Sequence, residues 1–218
     1  NTASKGTTQS RVTLVLEAGT YNISNSIKIP PHATIKGAGR NKTFIVQTGN
    51  YPIFTTVNST STPGNYANDS TSTSLTQAQD ITLEGMTLQH NLGSFTGIEL
   101  VSCKNSVFKN LQIKGPWTSG TGIVAASVGV SMDNLSTVVG CFNNLFDDVK
   151  IDGFADGVKS DDDVYENTFT NCLFDLLSYG VWFGENTIVG AQGQSTGPQR
   201  NLFESSTFSN IDRNAIIF

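Results

Sequence analysis

Apolar residues in the second half of the chain recur at a spacing that fits neither a helix nor a plain strand. Five segments align on Leu83, Phe108, Phe146, Phe169 and Phe203. Three residues later stand Met86, Leu111, Val149, Cys172 and Ser206, and five residues later Leu88, Ile113, Ile151, Phe174 and Phe208. Side chains of a strand alternate with a period of two, so this spacing contains one extra residue. Two positions after each anchor lie Gly85, Asn110, Asp148, Asn171 and Ser205; Gly, Asn and Asp best tolerate left-handed backbone. The pattern therefore predicts strand, tight bend, strand, with both apolar faces pointing inward. Two positions before three of the anchors stand Asn144, Asn167 and Asn201, which predicts a side-chain ladder.

A third strand is expected to begin at Gly97-Ile98, Gly122-Ile123, Gly157-Val158, Gly180-Val181 and Ala215-Ile216. The anchors are 25, 38, 23 and 34 residues apart, which suggests a coil of about 23 residues lengthened by insertions in loops. One such coil cannot bury its apolar face alone, but stacked coils can. The predicted fold class is all-β: a single-stranded right-handed parallel β-helix of three-strand coils, forming one domain over residues 1–218. A β-sandwich of repeated hairpins is the alternative, yet Asp152-Gly153 and Asp156-Gly157 lack the flanking alternation that hairpins need.

The first third carries short β-rich runs, VTLVLE, SIKIP, ATIKG and TFIVQ, separated by Gly, Pro and Asn. Residues 58–79 have no apolar periodicity and are expected to form a long polar surface loop, or one that touches a neighbouring subunit or a glycan. A shorter excursion of the same kind is expected at Gly190 to Gln199. The chain stops inside a third strand, so further chain or another subunit is expected to cover that end.

Composition narrows the partners. Only 14% of residues are charged and the net charge is −5, with no basic patch, which argues against nucleic acid. No apolar run reaches the ~20 residues that cross a bilayer, so no membrane insertion is expected. Cys103, Cys141 and Cys172 form neither a disulfide framework nor a zinc spacing and are expected to be buried free thiols. No cofactor or metal motif is present.

Candidate chemistry concentrates between Asp147 and Glu166, where eight acids and two bases give −6, leaving about +1 elsewhere. Asp156, Asp161, Asp163 and Glu166 are the catalytic candidates, because glycoside hydrolysis uses two carboxylates. The same cluster read otherwise is a solvated acidic loop, or a Ca²⁺ site if six to eight oxygens converge. Trp182, Tyr179 and Trp117 are the carbohydrate-binding candidates. Trp182 follows Val181 in a strand and should point outward if Val181 points in.

Three further runs, Gly19-Thr20-Tyr21, Ser26 to Pro30, and Thr34 to Gly39 followed by Thr43-Phe44-Ile45, resemble the opening coils of pectin-lyase-like right-handed β-helix proteins. The Ser/Thr/Asn-rich coils are also similar in style to phage tailspikes and tail fibres. That resemblance implies a virion structural protein, a tail spike, fibre or decoration subunit, located on the virion or extracellularly. It implies a homotrimer that contacts other virion proteins and surface polysaccharide. The alternative it implies is a polysaccharide lyase or glycoside hydrolase, a depolymerase. Against the latter, Ala155 stands where the hydrolases of this fold have Thr, and Asp161-Asp162 follow too soon for the next coil. His32 and His90 both lie upstream, no Arg-x-Lys occurs, and neither Arg200 nor Arg213 sits in a lyase motif.

Overall fold

The computed structural model describes residues 11–59, 73, 75–92, 95–117, 126–133, 140–160, 164–183 and 200–217. Seven coils follow one another. The first comprises β1 (Val12–Leu16), β2 (Gly19–Ile23) and β3 (Ile27–Ile29), and the second β4 (Ala33–Gly37), β5 (Thr43–Gln47) and β6 (Phe54–Thr56). In the third coil the first two strands fuse into β7 (Thr82–His90), followed by β8 (Thr96–Val101). The fourth has β9 (Val107–Lys114) and β10 (Val128–Asp133). A corner strand, β11 (Cys141–Phe142), leads into the fifth, β12 (Leu145–Asp152) and β13 (Asp156–Ser160). Another, β14 (Val164–Tyr165), leads into the sixth, β15 (Thr168–Thr170) and β16 (Leu173–Phe183), and the seventh is β17 (Leu202–Glu204) and β18 (Thr207–Ile217). Every described strand pair is parallel, and sixteen strands join one continuous sheet that curls into a parallel β-helix.

The register matches the sequence alignment. Leu83 pairs with Phe108, Phe108 with Phe146, Phe146 with Phe169 and Phe169 with Phe203. The aromatic rings therefore stack up the axis at 4.8, 4.6 and 4.7 Å between centroids, close to the distance between neighbouring strands. Phe174 and Phe208 form a parallel stack at 4.6 Å. These rings fill the coil interior with Leu83, Met86, Leu111, Ile113 and Ile151, all essentially without solvent contact.

Two rows of left-handed residues turn the corners. The first is the predicted one: Gly85, Asn110, Asp148, Asn171 and Ser205 have φ of 70°, 50°, 53°, 53° and 49°. The second lies three residues before each anchor, at Asp80, Asn105, Asn143, Glu166 and Arg200, and before Ile35, the partner of Leu83, at His32, with φ between 51° and 61°. The Asn ladder forms as expected. Asn144 N and Nδ2 donate to Asn167 Oδ1 at 3.0 and 2.9 Å, and Asn167 N and Nδ2 donate to Asn201 Oδ1 at 3.0 Å each.

The third strands also stack through glycines. A Cβ on Gly97 or Gly129 would lie 2.6 Å from the carbonyl oxygen of Gly129 or Gly157 respectively, so the backbones nest where no side chain fits. Here the structure corrects one expectation. The fourth coil's third strand begins at Gly129-Val130, with Val130 paired to Ile98 and Val158, rather than at Gly122-Ile123, which lies outside the described residues. Both dipeptides offer a Gly followed by an aliphatic residue, so composition alone could not choose between them. Of the expected 58–79 loop, residues 60–72 and 74 lie outside the described residues, and its end rejoins the coil. Gln77 and Ala78 are buried, and Gln77 Nε2 donates to Ser102 O at 3.0 Å and to Gly140 O at 3.3 Å, which returns the chain to the coil early. The Gly190 to Gln199 excursion lies outside the described residues.

Candidate functional site

The outer face of the third-strand ladder brings together the most chemistry. Its register sets Asp156 beside Tyr179 on the next coil, and Lys159 beside Trp182. Within each coil the pair is separated by three positions, Asp156 to Lys159 and Tyr179 to Trp182, across the nested Gly157 or Gly180. Val158 and Val181 between them are fully buried, so Trp182 faces out as strand alternation requires, and it is half-buried there.

Each ring carries a cation. Lys159 Nζ stands 5.4 Å above the Trp182 ring, and Arg213 Cζ stands 5.4 Å from the Tyr179 ring. Arg213 also donates from Nη1 to the Tyr179 hydroxyl at 2.7 Å. The two rings lie 5.1 Å apart, tilted by 55°. Arg213 reaches this place because β18 holds one extra residue between Ile211, paired to Leu177, and Asn214, paired to Tyr179. Among the described residues neither Lys159 nor Arg213 ion-pairs with a carboxylate. Both charges are therefore held by aromatic faces.

Asp156 is 6% exposed. Burial pushes its carboxyl above the usual aspartate range, and the Lys159 charge pulls it partly back. The other described acids of the stretch have structural partners instead. Asp148 Oδ2 meets Arg40 Nη2 at 2.9 Å, and Asp152 Oδ2 meets Lys150 Nζ at 2.9 Å and Gln112 Nε2 at 3.2 Å. That contact raises Lys150 above the usual lysine range.

Glu166 does not join Asp156. It occupies the left-handed corner before β15, at φ 57°, and pairs with Arg200 Nη2 at 2.6 Å. Asp156 opens the third strand, whereas Glu166 follows its far end. Asp161 and Asp163 lie outside the described residues. Trp117 is half-buried at the corner between the second and third strands, where its amide donates to Gly153 O at 3.3 Å. Among the described residues no group of three or more His, Cys, Asp or Glu side chains is placed to hold a metal.

Lys159 and Arg213 were not among the sequence candidates. Arg213 had a faint signal: the seventh coil's third strand starts seven residues after Phe208, against six in the two coils before it, which is the extra residue that aims it.

Solved structures share this fold. The ORF18 protein of Geobacillus virus E2 superposes with a TM-score of 0.65 at 14% identity, over 95% of this chain and 37% of that one. The N-terminal fragment of gene product 12 from bacteriophage Phi29 gives 0.55 at 13% identity, over 93% and 38%. A protein of Parabacteroides merdae, described as a candidate glycosyl hydrolase, gives 0.57 at 13% identity, over 92% and 82%. The chain thus spans under two fifths of the length of the two phage proteins. No curated protein matches it. The family model for rhamnogalacturonase A/epimerase, pectate lyase-like proteins matches residues 1–212, and the chain belongs to that family.

Proposed function

We propose that this chain is a virion-associated β-helical subunit that engages acidic surface polysaccharide through the outer face of its third-strand ladder. The observation that carries the reading is the Tyr179–Trp182 pair with Lys159 and Arg213 on its rings. Aromatic faces stack on sugar rings, and two cations that pair with no carboxylate among the described residues attract the acidic groups of such a chain. Family membership and the fold shared with two phage proteins support the setting. The subunit is taken as one domain that assembles as a homotrimer with other virion proteins.

The test is binding of the folded protein to an acidic polysaccharide, polygalacturonate, and to a neutral one, dextran. Trp182→Ala should weaken the acidic interaction about tenfold or more, since loss of ~1.4 kcal/mol is tenfold. Equal binding to both polymers, or full binding by Trp182→Ala, refutes the proposal.

Asp156 favours a second reading, a depolymerase acting at the same face. A carboxyl held above its usual range beside a sugar-binding surface is suited to proton transfer. Release of reducing ends by the wild type and not by Asp156→Asn would support this reading. A folded protein that binds but never cleaves would eliminate it.

A further inference from the structure

His90 sits at the corner after the second strand of the third coil and is 1% exposed. Both ring nitrogens are engaged by backbone. Leu92 N donates to Nδ1 at 3.2 Å, which makes Nδ1 the acceptor and leaves the proton on Nε2. Nε2 then donates to Tyr51 O at 3.2 Å, on the preceding coil. Phe95 stacks on the imidazole at 5.1 Å and 23°. One neutral tautomer thus ties two turns together across two coils. Tyr51 and Leu92 themselves are 50% and 41% exposed.

A proton on Nδ1 faces the Leu92 N–H donor head on, so the protonated ring cannot keep both bonds. Among the described residues no carboxylate pairs with the ring. Across the coil on one side lies Gln47, paired with His90, and on the other Lys114, paired with the adjacent Gln89. Gln47 is neutral, and Lys114 carries the same charge as an imidazolium. Asn91, in the same turn, bonds Gln89 at 2.7 Å. Burial holds the ring below the usual histidine range, and no charged side chain contributes to that shift.

We infer that His90 is an acid-sensitive latch that fastens the Leu92 turn to the Tyr51 turn and releases it on taking up a proton at Nδ1. This inference is independent of polysaccharide binding, because it lies on the second and third coils and uses none of Asp156, Lys159, Tyr179, Trp182 or Arg213.

The experiment follows the His90 ring and the Leu92 amide of the intact chain by NMR from about pH 7 to about pH 4.5, spanning the ordinary histidine pKa of about 6.5. The ring should titrate below that value. Exchange protection at the Leu92 amide, corrected for intrinsic rate, should fall about tenfold per pH unit through that window. Protection at Ile113, in the fourth-coil core, should not change. In His90→Gln the Leu92 response should be flat. Titration at or above the usual value, a Leu92 amide whose protection ignores pH, or an unchanged response in His90→Gln would each overturn the inference. The wild-type titration alone decides it if the variant does not fold.

Discussion

Asn167→Ala tests the ladder at its best-connected member. Asn167 is 0% exposed and its side chain makes five polar contacts, three of them shared between the two N–H groups of Nδ2. Oδ1 accepts from Asn144 N and Nδ2, and Nδ2 donates to Cys141 O at 3.1 Å, Tyr165 O at 3.2 Å and Asn201 Oδ1 at 3.0 Å. Some partners have a second bond. Tyr165 O still accepts from Asn143 N, Asn144 Nδ2 still donates to Cys103 O, and Asn201 Oδ1 still accepts from Asn167 N. The Asn144 amide loses its side-chain partner inside the corner, while the Cys141 carbonyl keeps its place in the β11–β14 ladder. One stranded buried group costs about 1–3 kcal/mol, which is the expected loss. That is a measurable part of the ~5–15 kcal/mol typical of a domain. Asn167→Asp is the control, since it keeps the acceptor but turns a carboxylate toward two carbonyls, and it should be no better than Ala. The assay is urea unfolding followed by intrinsic fluorescence, together with exchange of the Asn144 amide, which should lose its protection first. A midpoint for Asn167→Ala within error of wild type, or an Asn144 amide still protected, would refute the argument that the ladder carries this corner.

Two other outcomes follow from close packing and from burial. Gly157→Ala should cost about 1–3 kcal/mol by overpacking, because its methyl would lie 2.7 Å from Leu177 Cδ1 and against Gly180 O; a melting temperature equal to wild type would show that the third strands can part. The three cysteines are buried, with burial pushing Cys103 up to about 12, Cys172 up to about 11 and Cys141 well above the usual thiol range. A chromogenic disulfide reagent at about pH 8 should therefore label none of them in the folded protein and all of them in denaturant, since each pKa unit removes about tenfold of the thiolate; prompt labelling of one thiol in the folded chain would contradict that burial.

Much of this architecture was legible in the sequence because a stacked coil repeats its requirements. Leu83, Phe108, Phe146, Phe169 and Phe203 pair as aligned, and the residues two positions later do adopt positive φ. The second left-handed row was missed. Asn105 and Asn143 advertise that geometry, but Glu166 and Arg200 do not. Both occupy the same corner row as those asparagines, and Glu166 pairs with Arg200 there. The site was half legible for a related reason. Trp182 and Tyr179 stood out by type, and Asp156 by its place in an acidic run. Lys159 and Arg213 gain their meaning only from the coil beside them, at separations of 23 residues from Trp182 and 34 from Tyr179 that register alone converts into contact. Likewise the acidic run looked concentrated in sequence, but the fold distributes it over several faces and pairs Asp148 with Arg40, 108 residues away.

The Asn ladder has a direction. Each member presents Oδ1 to the coil before it, and Asn144 and Asn167 each donate N and Nδ2 to the Oδ1 of the next member. A coil is therefore a cassette with a socket on one side and a plug on the other, and the spacing between sockets is free: 23 residues separate Asn144 from Asn167 and 34 separate Asn167 from Asn201. Duplication, deletion or exchange of a whole coil between related chains would arrive with matching connectors, whatever loops it carried. Length and decoration can then vary between lineages while the shaft stays continuous, which lets a protein of this kind change what it touches without inventing a new fold.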